Sequence, residues 1–389
     1  MLFAFAGGHG HLQPLLPLAR ESVAAGHDVL VTGARALAEH VCSQGLSYAP
    51  SGPDLTGVRR PFELRDVGRE RLAVGRHFAG ALGRERGNDI IALAHDWKPD
   101  VVVCDEMDFG AAVAAEVLGL PHVTVVVLGA GGFLLPETTE EPLRRLRAAF
   151  NLPVEDGMKM LHRYLTLTPF PAVYRDPHHP LKGPVLAYRA APPHSRPLSD
   201  VVKSDARQVY VTFGTIFNTE SGDLLSRAVA GVAACQEATQ VVVSTGQHLD
   251  PAELGPQPPN VTVRRFVPQH DVLACSAAVL CHGGSGTVLG ALENGLPMVC
   301  IPLGADQSLN TRRCEMLGLG LCLPPETVRV DEITDAVREV LTRPRYRRAA
   351  EAIQAQVRAL PDISTAVRAV ESLIVRVPIS TREAGRAAP

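Results

Sequence analysis

The chain has 389 residues, 46% of them hydrophobic, and a net charge of −3. That length allows two or three domains with substantial cores. The near-neutral balance excludes a global basic field for nucleic acid or an anionic membrane, so any bound anion must be held locally, by backbone amides or single side chains.

The eight cysteines include no C-x-x-C pair and fall mostly in apolar runs, which reads as reduced, buried thiols rather than a disulfide framework or a zinc site. The apolar run at 2–6 is too short for the core of a signal peptide. The longest apolar stretch, near 123–135, is broken by glycines and falls short of the roughly 20 residues of a membrane helix. The expected location is the cytoplasm.

In chain order, residues 2–6 predict a buried parallel strand and 7–10 a tight glycine loop. Pro14 suits the first turn of a helix with Leu15, Leu18, Ala19 and Val23 on its apolar side, ended by Gly26. A strand begins at 28–31. Residues 54–90 carry eight arginines from Arg59 to Arg86 interleaved with acids, predicting either a solvated helical face or a flap over a substrate pocket.

Strand, helix and strand return at 100–104, 109–118 and 122–128, with Gly119 and Pro121 as stop signals. Seven prolines between Pro171 and Pro197 predict a connector without regular elements. The rhythm then restarts. Strands are expected at 208–213, 240–244, 261–266, 278–281 and 298–301, and helices at 224–234, from Ser285, at 330–341 and at 346–360.

This pattern predicts an α/β chain of two facing doubly wound domains. The first covers 1–190, a proline-containing join 191–206, the second 207–375, and a polar tail 376–389. Ligands of such sheets sit at the carboxyl ends of the strands.

The richest stretch is Cys281-His282-Gly283-Gly284-Ser285-Gly286-Thr287, at a strand-to-helix junction. Its glycines let backbone amides approach a ligand, and the helix N-terminus adds unpaired N–H donors. The hydroxyls of Ser285 and Thr287 and the ring of His282 add further donors, a set that suits a diphosphate. Asp306 and Gln307 follow the next strand, where a carboxylate beside an amide can hold sugar hydroxyls; an N-cap at Asp306 is the purely structural alternative.

In the first domain, His9 and His11 follow the first strand and Asp105 ends a later one. Histidine titrates near about 6.5, and a buried carboxylate can orient its ring and stabilise the imidazolium.

These residues resemble the family 1 glycosyltransferases over nearly the whole chain. His282-Gly283-Gly284-Ser285-Gly286-Thr287 with Pro302, Asp306-Gln307 and Asn310 is similar to that family's donor signature, and Gly10-His11-Leu12-Gln13-Pro14 to its amino-terminal H-x-x-P element. Actinobacterial enzymes acting on macrolide and enediyne scaffolds look most similar.

The resemblance implies the GT-B fold, two Rossmann-like domains, and inverting transfer of a deoxysugar or hexose from a TDP- or UDP-sugar to a hydroxyl of a natural-product aglycone. It implies no cofactor beyond the nucleotide-sugar co-substrate. His11 would be the base and Asp105 its partner, with His9 a neighbour; Asp108 is the weaker substitute for Asp105 because it begins the next helix. Phe213-Gly214-Thr215 resembles the phosphate loop, and Phe266-Val267-Pro268-Gln269 the base-binding turn. The tryptophan that stacks on uracil in plant members is assigned to the position of Val267, which leaves uracil and thymine both open.

His9, Gly129 to Phe133 (with Gly132 and Phe133 foremost) and the 54–90 region are expected to line the acceptor side. No Asp-x-Asp or metal-spaced His/Cys cluster is present, so no metal is expected. The expected partners are a nucleotide sugar and an aglycone, in a monomer or homodimer. A UDP-sugar epimerase on the same architecture and a non-catalytic partner subunit are the competing readings. A dinucleotide oxidoreductase lacks its G-x-G-x-x-G fingerprint.

Overall fold

A computed structural model describes residues 1–53, 66–190, 207–214, 221–246 and 249–376. The first unit runs β1 (Leu2–Ala4), α1 (His9–Leu12), α2 (Leu16–Ala24), β2 (Leu30–Gly33), α3 (Ala38–Ser43), β3 (Ser47–Pro50), α4 (Val67–Arg76), a π-helical turn His77–Ala81 and α5 (Leu82–Trp97). It continues with β4 (Val102–Asp105), α6 (Phe109–Val117), β5 (His122–Val125), α7 (Pro136–Ala149), β6 (Leu165–Thr168) and β7 (Val185–Ala187). Its seven strands are all parallel, in the order β3-β2-β1-β4-β5-β6-β7.

The second unit runs β8 (Gln208–Thr212), α8 (Leu224–Ala233), β9 (Gln240–Ser244), β10 (Val261–Arg264), α9 (Gln269–Ala274), β11 (Ala278–Cys281) and α10 (Ser285–Glu293). Then come β12 (Met298–Cys300), α11 (Gln307–Met316), β13 (Gly320–Cys322), α12 (Val330–Thr342), α13 (Pro344–Arg358) and α14 (Ile363–Arg376). Its sheet is parallel too, in the order β10-β9-β8-β11-β12-β13.

The central strands β1, β4, β8 and β11 are buried on both faces, which is why their sequences are continuous apolar runs rather than alternating ones. Strand order reverses between β1 and β4 and again between β8 and β11. Such switch points leave a crevice at the strands' carboxyl ends. The loops that begin at Phe5, Glu106, Phe213 and His282 leave these four strands there.

The structure corrects several expectations. His9 and His11 lie on a short helical turn, α1, rather than in an open loop. The proline-rich stretch contains β7, which pairs with β6 at the sheet edge, where Pro184 contributes only its carbonyl, which accepts from Thr166 N–H at 2.8 Å. An edge strand does not need the amide that proline lacks. The expected join at 191–206 and residues 377–389 of the expected tail lie outside the described residues.

Helix α14 was not anticipated. Ile363, Ala366 and Val370 pack into the core that also holds Leu15, Leu18 and Val31, and His27 Nε2 meets Glu371 Oε1 at 2.8 Å. The last segment assigned to the second domain therefore packs on the first. Its apolar spacing at i, i+3 and i+7 is helical, and its partner face is far away in sequence.

Residues 54–65 of the arginine-rich region lie outside the described residues; in its described part, 66–90, Arg86 is buried, paired with Asp108. Cys42 is exposed, against the expectation for buried thiols. Among the described residues, no helix is long and apolar enough to cross a membrane.

Candidate active site

Gly7 has φ +144°, and a Cβ there would lie 2.5 Å from His11 Cδ2. Glycine is thus what lets α1 fold its histidine back over the end of β1. Asp105, buried at the end of β4, accepts three hydrogen bonds: from Ala6 N–H at Oδ2 (2.7 Å), and from Met107 N–H (2.8 Å) and His11 Nδ1 (3.1 Å) at Oδ1. The two backbone donors fix the carboxylate, and the carboxylate fixes the ring.

With Nδ1–H given to Asp105, Nε2 is the lone-pair nitrogen that faces away from it. Phe78, on the π-helical turn, stacks on the ring at 5.9 Å and 20°. Burial alone would lower the His11 pKa, but the charge and hydrogen bond of Asp105, with smaller contributions from Asp306 and Glu106, raise it above the usual value. His9 is turned elsewhere, edge-on to His40 at 5.0 Å.

Glu106, next to Asp105 in the chain, carried no expectation from the sequence and is partly buried. Its Oε1 accepts the N–H groups of Val127 and Leu128, both at 2.7 Å. Burial raises its pKa to about 6, against the opposing charge of Arg175. It tethers the segment that leads into Gly129 to Phe133. There Gly131 and Gly132 have φ of +82° and +77°, and Phe133 is buried with Met107, Val127 and Leu128 against Val67, Val74 and Phe78.

On the opposite wall, Gly283 (φ +79°) and Gly284 turn β11 into α10. His282 is buried, and burial lowers its pKa to about 4, so its ring is neutral at physiological pH. It is wedged between glycines: a Cβ on Gly284 would lie 2.4 Å from its Nε2, and one on Gly214 (φ +76°) 2.8 Å. Gly284→Ala is therefore expected to displace the ring and weaken TDP binding about tenfold or more with little change in fold. Calorimetric titration with TDP checks this, and an unchanged Kd would remove His282 from the binding surface.

The polar side chains of this wall are used differently from the sequence expectation. The Ser285 hydroxyl donates to Asp306 Oδ2 (2.6 Å) and accepts from Gly129 N–H (2.8 Å) and Asn310 Nδ2 (3.0 Å). With its one proton directed to Asp306, it offers no donor to a diphosphate. Thr287 Oγ1 donates to Gln269 Oε1 at 3.1 Å, and Gln269 Nε2 to Gly286 O at 3.2 Å, so the start of α9 and the start of α10 are tied together.

Asp306 stands at the N-cap position of α11, but its side chain makes no cap bond. Its Oδ2 instead also accepts from Asn310 Nδ2 at 2.8 Å. Burial raises its pKa, opposed by Ser285, Asn310 and the charge of His11. Gln307 Oε1 accepts from Leu303 and Gly304 N–H at 2.7 and 3.1 Å, closing its own turn.

Val267 is buried in the core, 4% exposed, whereas its neighbour Phe266 is 70% exposed. The aromatic surface of this turn thus belongs to Phe266, and the assignment to Val267 was one residue off. Thr215 lies outside the described residues.

The walls meet directly. Ala130 N–H donates to Asn310 Oδ1 (3.0 Å), Tyr174 O–H to Asn310 O (3.2 Å), and Arg313 Nε to Tyr174 O (3.1 Å). The charges of His11 and Asp306 act on one another across this contact, raising the pKa of the first and opposing the rise of the second. Tyr174 and Arg313 carried no sequence signal, because such contacts depend on how two domains seat. Among the described residues, no three His, Cys, Asp or Glu side chains gather as a metal site.

Comparison with known proteins matches residues 231–373 to the family model described as Erythromycin biosynthesis protein CIII-like, C-terminal domain. Over 96% of its length the chain is 28% identical to a protein named 4'-demethylrebeccamycin synthase from Lentzea aerocolonigenes, covering 99% of that protein. It is 26% identical, over 96% of its length and 98% of the other, to 3-alpha-mycarosylerythronolide B desosaminyl transferase from Saccharopolyspora erythraea.

Its structure resembles spinosyn rhamnosyltransferase SpnG complexed with thymidine diphosphate, with TM-score 0.81 and 23% identity over 95% of this chain and 99% of that one. It also resembles glycosyltransferase VinC in complex with dTDP, with TM-score 0.76 and 23% identity over 97% and 100%. These likenesses identify the fold as GT-B.

Proposed function

We propose, for a chain whose C-terminal region is an EryCIII-like domain and whose fold is GT-B, that it is an inverting glycosyltransferase. It would move a deoxysugar or hexose from a TDP- or UDP-sugar to a hydroxyl of a natural-product aglycone. The carrying observation is the His11–Asp105 pair, 3.1 Å apart, on a first domain that is hydrogen-bonded to the Asp306–Gln307 region of the second through Gly129 to Ser285 and Ala130 to Asn310. The name of the Saccharopolyspora erythraea relative, a desosaminyl transferase, supports the same reading.

In this mechanism His11 Nε2 takes the proton of the acceptor hydroxyl, and Asp105 stabilises the imidazolium that forms. The acceptor oxygen attacks the anomeric carbon as the bond to the nucleoside diphosphate breaks on the opposite face. The N–H groups of α10's first turn and the neutral His282 ring receive the leaving charge. A backbone cradle of this kind needs no metal. Phe266 offers its exposed ring to the base, and a flat apolar face accommodates thymine or uracil alike.

The test is acceptor-dependent release of TDP or UDP from a panel of nucleotide sugars and macrolide-type or aromatic aglycones, with the product's anomeric configuration read by NMR. The expected product is inverted, and turnover persists in EDTA. Retained configuration sinks the single displacement, and loss in EDTA that Mg²⁺ restores sinks the metal-independent mechanism. Nucleotide-sugar isomerisation without an acceptor would favour the epimerase.

A further inference from the structure

We infer that Glu70 of the first domain is a positioning residue that sets the sugar-holding turn of the second; the inference rests on the glycosyltransferase reading. Ala305 immediately precedes Asp306 and has φ +54°, in the left-handed region. Alanine has no side-chain hydrogen bond with which to support that conformation, unlike asparagine or aspartate.

The support comes from outside the turn. The Ala305 N–H donates to Glu70 Oε2 at 2.7 Å, across 235 positions of sequence and from one domain to the other. Helix α4, which carries Glu70, is itself fixed to the acceptor wall. Arg71 Nη2 donates to Gly132 O at 2.5 Å, and Val67 and Val74 pack in the cluster that holds Phe133. Phe78, just beyond α4, stacks on His11. One short segment thus touches the base, the acceptor loop and the sugar turn.

The consequence is conformational. With Glu70 in place, the peptide after Ala305 is oriented so that Asp306 reaches Ser285 and Asn310 and Gln307 closes the loop on Leu303 and Gly304. Without it, Ala305 relaxes towards negative φ, and Asp306 and Gln307 move together. The sugar turn is therefore complete only when the two domains have met, which ties donor alignment to closure of the acceptor side.

The full-length chain tests this. Glu70→Ala is expected to lower kcat/KM for the nucleotide sugar about tenfold, the scale of a left-handed alanine's penalty. TDP affinity falls much less than kcat/KM, because the backbone N–H groups of α10's first turn do not depend on Ala305. Glu70→Gln, whose amide oxygen can accept the same N–H, stays near wild type. Adding Ala305→Gly to Glu70→Ala recovers most of the loss, because glycine adopts positive φ without the side-chain penalty.

Unchanged kcat/KM in Glu70→Ala, no recovery with Ala305→Gly, or an equal fall in TDP affinity would each overturn the inference. Hydrogen exchange at residues 304–310 gives a readout that needs no turnover: exchange is faster in Glu70→Ala, and equal rates overturn the inference independently. A wild-type chain that transfers no sugar would overturn the functional reading alone.

Discussion

Replacing His11 with alanine is expected to lower sugar transfer about 10²- to 10⁴-fold, the usual range for a general base, while TDP binds as before. The separation follows from the geometry. His11 lies on the first domain, anchored by Asp105, whereas the proposed phosphate turn is built from the start of α10 with Gly214 beside it. Turnover within threefold of wild type would sink the base assignment.

Asp105→Asn should come close to the same loss. An amide presents either the wrong partner or the wrong tautomer to Nδ1, and the imidazolium loses its counter-charge. The pH profile gives an independent check. A general base acts in its neutral form, and the His11 pKa lies above that of an ordinary histidine because Asp105, Asp306 and Glu106 favour the charged ring over the opposing effect of burial. The acid limb of kcat/KM should therefore rise at a higher pH than for an unperturbed histidine. Asp105→Asn removes the largest of those charges and should move the limb to lower pH; a limb that does not move would mean that another group titrates.

Much of this site was legible from the chain because its elements are local. A glycine-rich strand-to-helix turn announces backbone amides, and a histidine after one strand with an aspartate ending another can be placed on the same sheet edge from periodicity alone. What was illegible is whatever depends on which atom a side chain finally meets. Ser285 looked like a diphosphate donor, yet its proton goes to Asp306, because the Gly129 loop of the other domain docks on it. Val267 and Phe266 are adjacent in an irregular turn where strand alternation gives no guide; only packing shows that the valine enters the core and the phenylalanine faces out.

Helix α14 carried a clear apolar stripe, but its packing site is at the other end of the chain. Composition was misleading in the same way for residues 66–90. A run of arginines and acids suggests a solvated face, and for Arg86 the single decisive fact is a buried carboxylate 22 positions ahead.

That pair gives the largest expected effect on stability. Arg86 is 2% exposed. Its Nε donates to both oxygens of Asp108 at 2.9 and 3.0 Å, Nη2 also meets Asp108, and Nη1 donates to the carbonyl and hydroxyl of Ser51, both at 3.0 Å. Asp108 in turn caps α6 by accepting Ala111 N–H at 3.0 Å. The guanidinium thus joins α5, the segment after β3 and the N-terminus of α6, directly behind Asp105.

Arg86→Leu keeps much of the apolar stem but leaves the Asp108 carboxylate buried and unpaired, which costs about 3–5 kcal/mol for a broken buried pair. At roughly 2–4 °C per kcal/mol for a domain of this size, the melting temperature should fall by about 10 °C. Adding Asp108→Asn to Arg86→Leu should recover part of that loss. The uncompensated charge is then gone, while the amide oxygen can still cap Ala111. If the double variant melted below the single one, the destabilisation would come from lost packing around the arginine stem and not from the stranded carboxylate.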